Sequence, residues 1–155
     1  MTSLKYRIVD VFTTEPLAGN PLAVFMDASQ VDERLMQKIA REMNLAETTF
    51  VLPPVNPTCA ARARIFTPTK EMIFAGHPTI GTVFVLLDEG LVSRDRESFC
   101  LEEKVGPVQV WVDKGERPMI WLRTPPISEG SVHDRAQCAH ALGLEPGLAG
   151  ADLFA

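Results

Sequence analysis

Glu47 stands where helical periodicity stops and a β-rich run begins, a junction at which a carboxylate can serve as a general acid or base. Val31, Leu35, Met36, Ile39, Ala40 and Met43 recur at helical spacing, the pattern breaks at Asn44, and Thr48–Leu52 follows as TTFVL. With apolar Leu45 and Phe50 close by, desolvation would favour the protonated carboxyl and suit it to proton transfer. Read from the residues alone, a solvated turn glutamate, or one paired with Lys38 or Arg41, is the more ordinary assignment.

The other candidate is FAGHPTIGT, Phe74 to Thr82, a small-residue turn that runs straight into VFVLL. The spacing predicts a helix from His77 to about Asp88, with Pro78 early, where its missing N–H is no loss, and Gly90 just past the end as a left-handed cap. A helix with no polar face must be buried all round. Its start presents free backbone N–H groups and a positive dipole end, which suit a carboxylate or phosphate. His77 could touch a polar ligand there, or could be a partly buried histidine of structural value. Gly76 and Gly81 permit a tight turn and close helix packing. The segment lacks the lysine of a Walker phosphate loop, so nucleotide binding is a poor reading.

Around these residues the alternation predicts strands at Lys5–Phe12, Leu22–Met26, Thr48–Leu52, Ala61–Phe66, Ser98–Glu102, Val108–Val112 and Met119–Arg123, with a helix over Val31–Met43. Turn signals fall at Gly19-Asn20-Pro21, Pro53–Pro57, Val105-Gly106-Pro107 and Lys114-Gly115-Glu116. Hairpin-length connections imply an antiparallel sheet. The expected architecture is α+β, a strongly curved antiparallel sheet wrapped around one buried central helix. Thr124-Pro125-Pro126 punctuates the chain, and HDRAQCAHALGL beyond it is helical again, with CAHALGL echoing IAREMNL at 39–45. The expected division is 1–125 and 126–155.

At 155 residues, 46% hydrophobic and 23% charged, the chain has the composition of a globular domain with a sizeable core. Fifteen basic against 20 acidic residues give a net charge of −5 with no basic cluster, so nucleic acid is not an expected partner. The amino terminus has no signal-peptide layout, and IGTVFVLL is too short to span a bilayer; a cytoplasmic protein with no membrane partner is expected. Cys59, Cys100 and Cys138 are odd in number and widely separated, which suggests small buried hydrophobes rather than a disulfide or a metal site. Trp111 and Trp121 read as core or sheet-face aromatics, and His133 and His140 as surface residues of the last helix.

Together, Asp10–Phe25, Ile39–Val51 and Arg64–Thr82 resemble the amino-terminal half of the PhzF-like family, phenazine-biosynthesis isomerases and relatives on the diaminopimelate-epimerase fold. NLAETTF and FAGHPTIGT carry the likeness. It implies a cofactor-independent, metal-free isomerase in which Glu47 moves a proton between carbons of a small carboxylate. It also implies that Gly76, His77, Thr79 and Asn20 bind the substrate. Relatives that racemise with two thiols carry a cysteine near the start of the buried helix; Ala75, Gly76 and His77 stand there instead, which leaves Glu47 as the proton carrier. Ala46 replaces a serine common in relatives, so one hydroxyl contact to the ligand is expected to be missing. The family's second half supplies a glycine-rich loop with an aspartate facing the glutamate, and no candidate for it lies within these residues. The chain on its own is therefore expected to be inactive, and to form a homodimer. The alternative is a non-catalytic small-molecule-binding or dimerisation module derived from the same half-fold.

Overall fold

The computed structural model describes residues 3–114 and 119–145, in two units, 1–125 and 126–155. Among the described residues the first unit holds an eight-stranded sheet and two helices. Its strands are β1 (Lys5–Val11), β2 (Asn20–Met26), β3 (Glu47–Leu52), β4 (Ala61–Phe66), β5 (Glu71–Met72), β6 (Ser98–Glu103), β7 (Gly106–Asp113) and β8 (Met119–Leu122). The helices are α1 (Glu33–Met43) and α2 (Gly76–Asp88). The second unit contains α3 (Arg135–Ala141), capped by the Asp134 carboxylate, which accepts from Gln137 N at 3.0 Å. His140 is exposed on this helix, whereas His133 is exposed just ahead of it. Gly115 and Glu116 of the expected turn lie outside the described residues.

The strand order is β1-β2-β3-β4-β6-β7-β8, with β5 pairing on β4. The expected antiparallel sheet is in fact mixed: β2 runs parallel to β3, and β4 parallel to β6. The cause lies in the connections. α1 links β2 to β3 and α2 lies between β4 and β6, and a helical crossover returns the chain in the same direction, where a short hairpin would reverse it.

Helix α2 packs against β1, β2, β3, β4 and β8. Because β1 and β8 are the two ends of the strand order, a single helix can touch both only if the sheet curls around it. α1 packs on the other face, against β3 and β4. β2 therefore sends Leu22, Val24 and Met26 into the core beneath α2 and Ala23 and Phe25 into the one beneath α1. Burial on both faces accounts for its unbroken apolar run. Phe25, Phe50 and Phe66 stack or meet edge-on in the α1 layer, with ring centroids 5.1 and 5.5 Å apart.

α1 starts two residues later than its apolar pattern because Asp32 caps it, accepting from Leu35 N at 2.8 Å. It stops where Asn44 turns left-handed, at φ 52°, a conformation asparagine tolerates better than most residues. α2 is not buried all round, since Phe84 stays 49% exposed on the described unit. Gly90, at φ +70°, takes the left-handed position past its end. Asp88 and Glu89 oppose the dipole at this terminus, and Lys5 and Arg7 of β1 offset them, each bonding Glu89 at 2.6 Å.

Cys59 and Cys100 form a disulfide, contrary to the reading of isolated thiols; Cys138 is free. Their separation of 41 residues vanishes in space because the start of β4 lies beside β6, where Ala60 N donates to Cys100 O at 2.8 Å. Trp111 and Trp121 pair across β7 and β8 on a sheet face, with the Arg123 guanidinium 5.4 Å from the Trp111 ring centre.

The glycines of α2 differ in what they allow. A Cβ on Gly81 would lie 2.7 Å from Leu22 Cδ2 and 2.8 Å from Val11 Cγ2, whereas one on Gly76 would meet nothing within 4 Å. Gly81→Ala is accordingly expected to lower stability in urea unfolding by roughly 1–3 kcal/mol through overpacking. Gly76→Ala is expected to leave it within about 1 kcal/mol of the parent, on the stabilising side. The reverse ranking would contradict this packing of α2 on β1 and β2.

Candidate functional site

Glu47 is the first residue of β3 and lies opposite Leu22 in the parallel ladder, so the starts of β2 and β3 face the same end of the sheet. Asn20 opens β2 at that end, exposed to solvent and paired with Val11. Gly81 seats α2 on Leu22 and Val11. One turn earlier, the helix start is thereby brought over Glu47. His77 Nδ1 lies 3.5 Å from Glu47 Oε2, with the side chains only 10% and 19% exposed. Neither Lys38 nor Arg41 is the partner of Glu47; the Arg41 guanidinium turns instead to the Pro68 carbonyl, at 3.4 Å.

Glu47 Oε2 and His77 Nε2 are both shielded from solvent and have no hydrogen-bond partner. Buried polar atoms left unpaired cost on the order of 1–3 kcal/mol each, and a bound water or ligand group would satisfy these two. Burial holds the His77 pKa below its ordinary value of 6.5, while the Glu47 charge opposes that shift. Near neutrality the imidazole is thus the neutral form, offering hydrogen bonds rather than a charge.

The helix start adds donors to this pair. Ala75 occupies the N-cap without a side-chain cap, and there is no acidic residue in the first turn. Among the described residues the backbone N–H groups of Gly76 and His77 have no acceptor, and Pro78 has no N–H to satisfy. With open space above Gly76, these amides can meet an anion at the positive end of the helix. A carboxylate base, a neutral imidazole and two free amides can together take a proton from carbon and stabilise the resulting negative charge.

Thr79 behaves differently from the other expected binding residues. It is fully buried, and its hydroxyl is turned inward, 2.7 Å from Ala75 O and 2.5 Å from Glu103 Oε1. The structure thus brings Glu47, His77 and Gly76 together, sets Asn20 at the same end of the sheet, and puts the Thr79 side chain beneath the turn. Glu103 itself, 4% exposed, was absent from the sequence reading. The signal for it was the alternation in SFCLEE, in which Phe99, Leu101 and Glu103 share the buried face of β6.

The electrostatics of the pair can be read directly. In an NMR titration His77 is expected to titrate below 6.5, and Glu47→Gln to lower its pKa further by removing the charge that favours imidazolium. A His77 pKa above 6.5, or one unmoved by Glu47→Gln, would contradict the arrangement.

Comparison with known proteins places this geometry in context. The family model described as phenazine biosynthesis-like protein matches residues 9–149. An uncharacterised isomerase of Mesorhizobium japonicum is 53% identical over 114 residues, 74% of this chain and 37% of the relative. The trans-2,3-dihydro-3-hydroxyanthranilate isomerase of Pseudomonas aeruginosa is 42% identical over 116 residues, 75% of this chain and 40% of the enzyme. The crystal structure of a Bacillus anthracis phenazine biosynthesis protein of the PhzF family superposes with a TM-score of 0.78 at 32% identity, covering 95% of this chain and 49% of that one. The chain spans half or less of the length of these relatives.

Proposed function

The chain belongs to the PhzF-like family of phenazine biosynthesis-like proteins, and on that footing we propose that it forms one wall of a cofactor-independent isomerase cleft. The observation that carries the reading is the contact of Glu47 with His77, with the buried Glu47 Oε2 and His77 Nε2 lacking hydrogen-bond partners, beside the free amides that start α2. Glu47 takes a proton from a carbon next to an activating π-system and returns it to another carbon on the same face. His77, neutral, orients the ligand by hydrogen bonding. The Gly76 and His77 amides hold the charge that develops as the proton leaves, the kind of preorganised donor that stabilises an oxyanion. Asn20 edges the cleft at the start of β2.

The substrate is a small carboxylate, and isomerisation of a dihydro-hydroxyanthranilate is the specific reaction proposed, by likeness to the Pseudomonas aeruginosa enzyme. The facing wall, with its acidic partner to Glu47, belongs to the second half that the longer relatives carry. A homodimer is the proposed assembly.

In the native protein as isolated from its cells, Glu47→Gln is expected to lower solvent-deuterium incorporation into substrate by about 10²-fold or more, the usual weight of a general base. Binding should be nearly unchanged, because the isosteric amide keeps the shape of the site. Exchange that persists in Glu47→Gln would exclude the assignment. Saturable carboxylate binding with no exchange in the parent protein would assign a binding module in its place.

A further inference from the structure

The hydroxyl of Thr79 has one proton and two oxygen neighbours at hydrogen-bond distance, one of which, Ala75 O, also accepts from Thr79 N at 3.2 Å. Ala75 O lies 2.7 Å away and Glu103 Oε1 2.5 Å away. If Glu103 were ionised, its oxygen and the Ala75 carbonyl would compete for that single hydrogen, and the loser would face a lone pair at contact distance. One arrangement satisfies all three groups: Glu103 carries a proton and donates it to Thr79, and Thr79 donates its own to Ala75. The remaining oxygen, Glu103 Oε2, is buried without a partner. In a neutral acid that atom is a carbonyl oxygen, far cheaper to leave unpaired than half of a carboxylate.

The surroundings agree with this assignment. Burial pushes the Glu103 carboxyl up to about 7, against the opposing hydrogen bond from Thr79. Among the described residues, no charge from His77 or Asp88 of α2, or from Arg62 or Arg64 of β4, is a cause of this shift. The nearby cations are committed elsewhere, Lys104 to Glu71 at 2.8 Å and Arg64 to Glu71 and Glu33 at 2.7 Å each.

The end of this relay matters most. Ala75 C=O and Gly76 N–H belong to one planar peptide group, so what binds the carbonyl from below also fixes the direction of the N–H above. A hydrogen bond to the carbonyl further polarises the unit and strengthens its N–H as a donor. Ala75 supplies no side-chain cap, and nothing crowds Gly76 from the open side. From within, this peptide is held by two bonds to Ala75 O, from the Thr79 backbone N–H at 3.2 Å and from the Thr79 hydroxyl at 2.7 Å, and the relay governs the second.

We propose that Glu103, held as the neutral acid, is a positioning residue that acts through Thr79 to aim and polarise the Ala75–Gly76 peptide whose N–H faces the cleft. Its consequence for catalysis rests on the isomerase reading above; the relay itself does not. Ionisation of Glu103 turns the Thr79 hydroxyl toward the carboxylate, leaves Ala75 O with the Thr79 backbone N–H as its donor and weakens the Gly76 N–H.

The test is a pH titration of the 155-residue chain by NMR, without substrate, following the Glu103 side-chain carboxyl carbon and the Gly76 amide. The carboxyl is expected to titrate near 7 and the Gly76 amide to shift with the same midpoint. Glu103→Gln, whose amide can still donate to Thr79, should remove that step and leave Gly76 at its low-pH position throughout. Thr79→Val should uncouple Gly76 while leaving a buried, titrating carboxyl. Stability supplies a second readout: with the folded pKa raised, the stabilisation is complete below the ordinary value of 4.5 and lost as pH rises through about 7. The fall in urea stability between these limits should therefore be smaller in Glu103→Gln. If the isomerase reading holds, Thr79→Val should also lower kcat by about tenfold with little change in KM, as for a donor that acts on the transition state. Titration of Glu103 in the ordinary carboxylate range, or a Gly76 amide that ignores it, would overturn the proposal. Loss of isomerase activity for any other reason would leave these shifts intact.

Discussion

The rest of the site depends on the burial of α2. Its body from Ile80 to Leu87 is uncharged and, apart from Thr82, apolar, and covering it demands a sheet that touches it from β1 at one end to β8 at the other. Once the sheet has curled to do so, the helix is left open at its ends and at Phe84, and its free polar backbone groups lie at the ends. The carboxyl end is clamped by Lys5 and Arg7. The amino end is left uncapped, with Glu47 of β3 brought to within 3.5 Å of His77. The polar site is thus a by-product of the packing that makes the core: the same curl that hides Val83, Val85 and Leu86 concentrates the free donors and the carboxylate in one place.

Burial also sets the charge states on the two sides of that turn, and in opposite chemical senses. Above it, desolvation keeps His77 neutral by making the imidazolium costly. Below it, desolvation raises the Glu103 carboxyl to about 7 by making the carboxylate costly, so that the neutral acid prevails below that pH. In both cases the charged form is the one penalised. A helix start flanked by two uncharged titratable groups keeps its dipole unscreened by counter-charges of its own, so Glu47 and an incoming anion feel it most.

Much of this was legible in the sequence because the relevant signals are local. Helical spacing up to Asn44, the β-rich run after Glu47, and the glycines and proline around His77 mark the two junctions without knowledge of the fold, and the motifs NLAETTF and FAGHPTIGT carry the family. What escaped was non-local. Cys59 and Cys100 look unrelated until β4 and β6 are paired. The parallel pairs follow from helical crossovers, which the assumption of hairpin connections hid. β5 is two residues long and has no period to detect. Thr79 lies inside a motif, so its inward orientation could not be distinguished from an outward one until Glu103, 24 residues away, was found beneath it.

The central claim is that the start of α2 and Glu47 form one anion-binding, proton-transferring site. Its most direct test is a crystal structure of the protein with a small cyclic carboxylate bound. A ligand oxygen is expected about 3 Å from the Gly76 or His77 backbone nitrogen, with a ring carbon facing the Glu47 carboxylate close enough for proton transfer. A carboxylate bound away from this turn, or a ligand at the turn whose carbons Glu47 cannot reach, would contradict it.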